Sequence, residues 1–277
     1  MNLTIQHIIS FCKGDFHGKS TDFIATHISI DSRSLQNGNN TLFFAIKGQN
    51  HDAHLYLEDL IAKGVCYFVA EYIPEHLIGK ANFIIVKNSL QALQQTAIGY
   101  RKQFEFPFVG ITGSNGKTIV KEWLNFLLSP NHKIVRNPKS YNSQVGVPLS
   151  VLGVEGVYDF GLFETGISLP NEMMQLEKII APKFGILTNI GAAHDEGFSN
   201  REAKIKEKIK LFDNCTDVFL EKNEVIEVLL SDNIQKHTWS FTDENAALFV
   251  TQKEENNTTQ LTFKKGTASF RVVVPFC

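Results

Sequence analysis

The sequence predicts an α/β protein: a small N-terminal α/β domain, then a P-loop-type central domain with a mostly parallel sheet and an antiparallel edge meander. Three observations predict it. Short apolar runs alternate with stretches of helical period from Phe108 to Leu230. An apolar run at Phe108–Ile111 enters a Gly-rich turn and then Lys117-Thr118. After Trp239 the texture changes to short strands separated by polar turns.

Composition bounds the rest. The 277 residues are 43% hydrophobic and 20% charged, with a formal net charge of −2, which is enough for two cored domains. Disordered, collagen-like and disulfide-scaffold classes are excluded, and a dedicated nucleic-acid binder should carry a basic excess. No apolar run reaches the length of a membrane span. Met1–His7 lacks a basic start followed by an apolar stretch, so a cytoplasmic location is expected. The cysteines at 12, 66, 215 and 277 form no CxxC pair and read as reduced thiols, with no zinc site.

Residues 1–104 form the first expected domain. Its candidate strands are His27–Ile30, Leu42–Ile46, Val65–Val69 and Phe83–Val86. A helix is expected over Ala53–Ala62. Another follows Ser89 as N-cap and runs to about Phe104, with Leu90, Leu93, Ala97 and Tyr100 on its apolar face. Glu105-Phe106-Pro107 breaks the pattern, and residues 105–277 form the second expected domain, incomplete at its C-terminal end. Its strands are expected at Phe108–Ile111, Lys133–Arg136, Asp159–Phe163, Phe184–Ile190 and Val218–Leu220. Helices are expected near Thr118–Leu128, Pro170–Ile180, Asn200–Phe212 and Asn223–Leu230. Leu248–Gln252, Gln260–Phe263 and Ser269–Val274 complete the meander. No internal repeat is visible.

The Gly-rich turn carries the chemistry. Gly113 and Gly116 let backbone amides face a phosphate, and a helix N-terminus adds partial positive charge. With Ser114 and Asn115 they form the expected nucleotide cradle. Lys117 reaches terminal phosphates and Thr118 offers a hydroxyl to Mg²⁺. The usual spacing puts Gly six residues before the Lys, where Ile111 stands; Gly113 is four before and Gly110 seven before. The competing role is a turn that merely joins strand to helix.

Parallel sheets bind ligands beyond the C-terminal ends of their strands. Asp159–Phe163 ends in Glu164, and Phe184–Ile190 ends in Gly191-Ala192-Ala193-His194. If these strands flank the phosphate-loop strand, Glu164 and His194 meet at the phosphates, and the carboxylate can hold Mg²⁺. A surface Glu and a hydrogen-bonded loop His are the alternatives. On the next helix Ile205, Ile209 and Phe212 form the buried stripe. Lys208 lies closest to it of the four lysines, with Lys204 one turn earlier. A lysine tucked against the core beside another is a candidate for altered chemistry. In the first domain, Ser32-Arg33 and Lys47-Gly48 offer donors to a diphosphate or uracil. His51-Asp52-Ala53-His54 reads as a loop and helix start with Asp52 as N-cap rather than a metal pair.

Thr112-Gly-Ser-Asn-Gly-Lys-Thr118 resembles the shortened phosphate loop of the Mur ligase family, ATP-dependent amide-forming ligases. Asn189–Phe198 and Lys139–Leu149 resemble the family members that join D-alanyl-D-alanine to UDP-N-acetylmuramoyl-tripeptide in peptidoglycan synthesis. Members adding the third amino acid, the alternative within the family, usually read Asp-His-Leu-Asp near the metal His. Ile30–Arg33 and Leu42–Gly48 resemble the UDP-sugar-binding domain of both groups. The resemblance implies catalytic roles for Lys117, His194 and Lys208. It implies two Mg²⁺ sites served by Thr118, Glu164, His194 and a carbamylated Lys208, which stands fourteen residues after His194. UDP-substrate contacts fall on Ser32, Arg33, Lys47, Asn142 and Ser143. Ser143 stands where a second Asn is usual, and Ile119 where another Thr is frequent. The family implies a third, C-terminal domain, so the chain is expected to be part of a longer polypeptide; in some bacteria an alanine racemase follows on the same chain. The competing classes are a nucleotide-binding module that is not a ligase and a generic P-loop NTPase.

Overall fold

The computed structural model describes residues 2–35, 38–48, 50–139, 141–191, 198, 200–255 and 258–274. Two compact units emerge: Met1–Glu105 with Asn137–Val157 and Lys178–Ile180, and Phe106–Arg136 with Tyr158–Glu177 and Ala181–Cys277.

The first unit begins with β1 (Leu3–Thr4), α1 (Ile5–Cys12), β2 (Asp15–His17), β3 (Ile24–Ala25), β4 (His27–Ser29) and β5 (Thr41–Phe44). Then come a 3₁₀ turn at Ala53–Tyr56, α2 (Leu57–Ala62), β6 (Tyr67–Ala70), β7 (Asn82–Ile85) and α3 (Ser89–Arg101). Five of these strands form a sheet in the order β2-β7-β6-β5-β4, antiparallel only at β2–β7. Apolar runs such as Leu42-Phe43-Phe44 are buried on both faces, as parallel strands require. Through the centre Phe68 stacks on Phe83 and meets Phe43 edge-to-face, with α2's Leu57 and Leu60 in the same core. The N-cap of α3 is Asn88, whose Oδ1 accepts from Gln91 N at 2.8 Å, rather than Ser89. Ser89 is the first helical residue, and its hydroxyl donates to Glu71 Oε1 at 3.0 Å. Short β1–β3 and α1 were outside the expectation; α1 is only eight residues long and Thr4 caps it.

The second unit is built on β8 (Phe108–Thr112), α4 (Lys117–Leu128) and β9 (Ile134–Arg136). The chain then contributes α5 (Gly146–Leu152) to the first unit, where Gln94 Nε2 donates to Gln144 Oε1 at 3.1 Å and Tyr100 Oη to Val154 O at 2.8 Å. This helix carries Gly146 and Pro148, which weaken any helical signal. Next are β10 (Phe160–Glu164), α6 (Met173–Ile180), β11 (Phe184–Leu187), α7 (Arg201–Ile209), β12 (Asp217–Glu221) and α8 (Glu224–Leu229). Last come β13 (Gln235–Ser240), β14 (Leu248–Glu255), β15 (Thr258–Lys265) and β16 (Ala268–Val274).

Among the described residues these strands make a nine-stranded sheet in the order β16-β15-β14-β13-β12-β11-β8-β10-β9. Pairing is parallel from β9 to β14 and antiparallel over β14–β15–β16, which is the expected edge meander. Strand β13 was not expected: its Gln-Lys-His-Thr-Trp-Ser text is mostly polar, and only pairing between β12 and β14 makes it a strand. Val109, Ile111 and Leu162 form the core on one side, with Val120 and Leu124 of α4 packed against them. On β11, Gly185 is required by a close approach: a Cβ there would sit 2.3 Å from the Phe212 ring.

Candidate functional site

Strand β8 lies between β10 and β11, so the condition set by the sequence is met. The chain departs from β8 to one side through β9 and β10 and to the other through β11. Such a reversal of strand order opens a crevice at the carboxyl ends of the strands. The Gly-rich loop Gly113–Gly116 starts there and hands over to α4, with no side chain capping the helix.

Three segments converge on this loop. The first comes off β11, which ends at Leu187 rather than at Ile190 because Thr188–Gly191 turn over the loop. Thr188 Oγ1 donates to Asn115 O at 2.6 Å and to Thr112 O at 3.3 Å. Ser114 N donates to Asn189 O at 2.9 Å, Asn115 N to Asn189 Oδ1 at 3.1 Å, and Ser114 Oγ to Gly191 O at 3.2 Å. Gly113 has φ +148°, and a Cβ on it would lie 2.0 Å from Thr188 Oγ1. Only glycine admits this clasp.

The second segment is the end of β10. Glu164 is fully buried there, and Thr165 N ties the turn to Ile111 O at 2.8 Å. Lys121 Nζ, also fully buried, lies 3.6 Å from Glu164 Oε2. The third is α7, whose N-cap Asn200 accepts from Ala203 N at 2.8 Å. Lys208 and Lys204 are both buried, with 3% and 1% exposure. Lys208 Nζ donates to Gly113 O at 3.2 Å, and Lys204 Nζ to Gly191 O at 3.0 Å.

Lys117 folds onto its own loop, donating to Gly113 O at 2.9 Å and Ser114 O at 3.3 Å. Two ammonium groups therefore meet at one carbonyl oxygen. Burial, then Lys117 and Lys204, pull Lys208 down to about 8. Burial also lowers Lys117; Glu164 opposes this and Lys204 adds to it. Four lysines thus gather at the loop with Glu164 as the fully buried carboxylate among them. That excess of positive charge suits a polyanionic ligand. Lys204 and Lys121 were not singled out as site residues. The like-charge pair Lys204/Lys208 was the available signal for the first. The adjacent Glu122 gives Lys121 an ordinary helical-surface look, and its approach to the buried Glu164 of β10 is set by tertiary structure.

His194 falls within residues 192–197, outside the described residues. In the first unit, Arg33 is paired with Asp31, at 2.9 Å and 3.0 Å to its two oxygens. This hydrogen bonding holds Asp31 down at about 2, with a smaller contribution from the charge of His51. Lys47 lies 4.0 Å from Asp52, which is the N-cap of the 3₁₀ turn. His54 is buried: its Nδ1 meets Asp52 Oδ1 at 2.6 Å and its Nε2 accepts from Glu71 N at 2.9 Å. With Nε2 an acceptor, Nδ1 carries the proton, and the ring serves structure rather than a metal. Asn142 and Ser143 belong to this unit too, and Ser143 Oγ accepts from Gly146 N at 3.2 Å at the start of α5.

Comparison with known proteins defines the class. The Mur ligase middle domain matches residues 111–275, and the chain belongs to the Mur ligase family. Among its relatives, the UDP-N-acetylmuramoyl-tripeptide–D-alanyl-D-alanine ligase of Borreliella burgdorferi is 34% identical over 211 residues, covering 73% of this chain and 46% of that protein. The chain therefore spans about half the length of such relatives. The crystal structure of MurF from Acinetobacter baumannii superposes with a TM-score of 0.90 at 22% identity, over 100% of this chain and 61% of that one. MurF ligase from Thermotoga maritima in complex with ADP gives 0.80 at 23% identity, over 90% and 58%. These likenesses support the α/β fold with its two sheets. Among the described residues, no helix is long and apolar enough to cross a membrane.

Proposed function

We propose that the chain serves an ATP-dependent ligase reaction joining D-alanyl-D-alanine to UDP-N-acetylmuramoyl-tripeptide. The single observation that carries this is the placement of β8 between β10 and β11, which gathers Lys117, Glu164 and the lysines of α7 at one phosphate loop. The printed functions of the relatives supply the substrates.

In this reading ATP lies with its phosphates over Gly113–Thr118. The tripeptide carboxylate attacks the γ-phosphorus and ADP leaves, giving an acyl phosphate. The dipeptide amine attacks that carbonyl, expels phosphate and loses a proton. The protein positions reactants and neutralises charge on the transferring phosphoryl group. Lys117 leaves Gly113 O to pair with the terminal phosphates. Mg²⁺, when bound, shields the phosphate oxygens. A buried carboxylate and a threonine hydroxyl are the hard oxygen donors that it prefers, so Glu164 and Thr118 fit one site. His194 and Lys208 are assigned to a second by the family resemblance. An imidazole alone suits Mg²⁺ poorly, and carbamylation of Lys208 would supply an anionic oxygen there while relieving its crowding with Lys117 and Lys204. Ser32, Arg33, Lys47, Asn142 and Ser143 are proposed for the UDP-substrate. Residues 1–104 and 105–277 are proposed as substrate-binding and ATP-binding domains, and the site of action as the cytoplasm. The relatives described above carry no racemase in their names, and none is proposed.

The test is calorimetric titration of the chain with Mg·ADP and with UDP-N-acetylmuramoyl-tripeptide, beside phosphate release. Both ligands should bind, and Lys117→Ala should lose Mg·ADP while keeping the UDP-substrate. A chain that ignores the UDP-substrate yet hydrolyses ATP is a generic NTPase, and the ligase proposal falls.

A further inference from the structure

Helix α4 is amphipathic in the wrong sense for a helix that only packs. Ile119, Trp123, Phe126 and Leu127 are 59%, 57%, 76% and 67% exposed, whereas the residue of the helix that is buried is Lys121. Stability alone favours an apolar side chain at such a position, since replacing a buried ion pair with well-packed apolar residues is commonly neutral or favourable. The charge at Lys121 therefore calls for another explanation.

Its surroundings provide one. Lys121 Nζ lies 3.6 Å from Glu164 Oε2 and 3.6 Å from Glu122 Oε1. Glu122 already has Arg136, whose Nε lies 3.1 Å from its Oε2, and Glu122 is partly exposed. Glu164 is fully buried, so at equal distance its attraction to Lys121 is screened less by solvent than that of Glu122. Lys121 also stands one helical turn after Lys117, on the side of α4 that faces the end of β10.

We propose that Lys121 is a positioning residue: its ammonium holds the Glu164 carboxylate by one oxygen, so that divalent-cation binding at Glu164 depends on it. The proposal rests on the nucleotide-ligase reading above. Groups that orient a metal ligand from behind typically govern affinity by about tenfold or more.

The experiment titrates Mn²⁺ into the chain with a non-hydrolysable ATP analogue present, reading free Mn²⁺ by electron paramagnetic resonance. The variants are Lys121→Met, Lys121→Arg, Glu164→Gln and the pair Lys121→Met/Glu164→Gln; thermal unfolding without divalent ions reports on the fold. Lys121→Met should weaken Mn²⁺ about tenfold, and Lys121→Arg should stay within about threefold of the parent. On the Glu164→Gln background Lys121→Met should cost nothing further, since a residue acting through Glu164 has no target left. Should Lys121→Met not fold, Lys121→Gln replaces it with the same expected loss. Parent-like Mn²⁺ affinity in Lys121→Met, or an equal loss on both backgrounds, overturns the proposal. A parent chain that binds no Mn²⁺–nucleotide complex instead sinks the ligase reading itself.

Discussion

Gly113→Ala isolates the clasp between the phosphate loop and the end of β11. The new methyl would lie 2.0 Å from Thr188 Oγ1 and 3.0 Å from both Asn189 N and O, at φ +148°. Holding a side chain at such a φ costs about 1–3 kcal/mol. Pushing Thr188 aside also gives up the bond of its one hydroxyl proton, shared between Asn115 O and Thr112 O, about 0.5–1.5 kcal/mol. The sum is about 3 kcal/mol. Gly116→Ala is the matched control: φ is +79° and nothing lies within 4 Å, so only about 1 kcal/mol of backbone strain remains. Scanning calorimetry should place Gly113→Ala roughly 6–12 °C below the parent and Gly116→Ala roughly 2–4 °C below, at about 2–4 °C per kcal/mol. Thr188→Ala removes the clashing oxygen, so it should cost almost nothing when added to Gly113→Ala, although it destabilises the parent. Equal losses for the two glycines, or full additivity with Thr188→Ala, would refute the clasp.

Two further predictions concern the first unit. Asn88→Ala should cost about 1 kcal/mol in urea unfolding and Asn88→Ser only a few tenths, because a serine hydroxyl can cap α3 as Asn88 does; indistinguishable variants would remove Asn88 from the cap. Asp31, held at about 2 in the folded chain, should rise toward 3.8 in Arg33→Ala when followed by NMR titration. A depressed folded pKa contributes stability above the unfolded value and loses it as pH falls from about 4 to about 2. The parent should therefore lose slightly more stability than Arg33→Ala across that window, by less than about 1 kcal/mol because the pair is exposed. An unmoved Asp31 would mean that the bidentate pair does not form.

The Gly-rich turn between β8 and α4 was legible because its signal is local: an apolar strand, two glycines and Lys-Thr opening a helix all fall within eleven residues. Glu164 was legible as the residue ending a strand. Strand β13 was not, since its polar text becomes a strand only between β12 and β14. The cap of α3 lies one residue before the position the sequence suggests: Asn88 and Ser89 both suit an N-cap, and only Glu71, eighteen residues upstream of Ser89, shows which one is engaged elsewhere.

By itself the sequence determined the alternation of strands and helices, the Gly-rich turn that opens a helix and Glu164 at the end of a strand, because period, glycine placement and capping act over a few residues. Tertiary structure decided that β8 runs between β10 and β11, that Thr188 closes on Gly113, and that Lys121 and Lys204 are buried near the same loop. Strand order and buried charge depend on partners distant in the chain, and no local pattern specifies which carboxylate or carbonyl will stand opposite a given lysine.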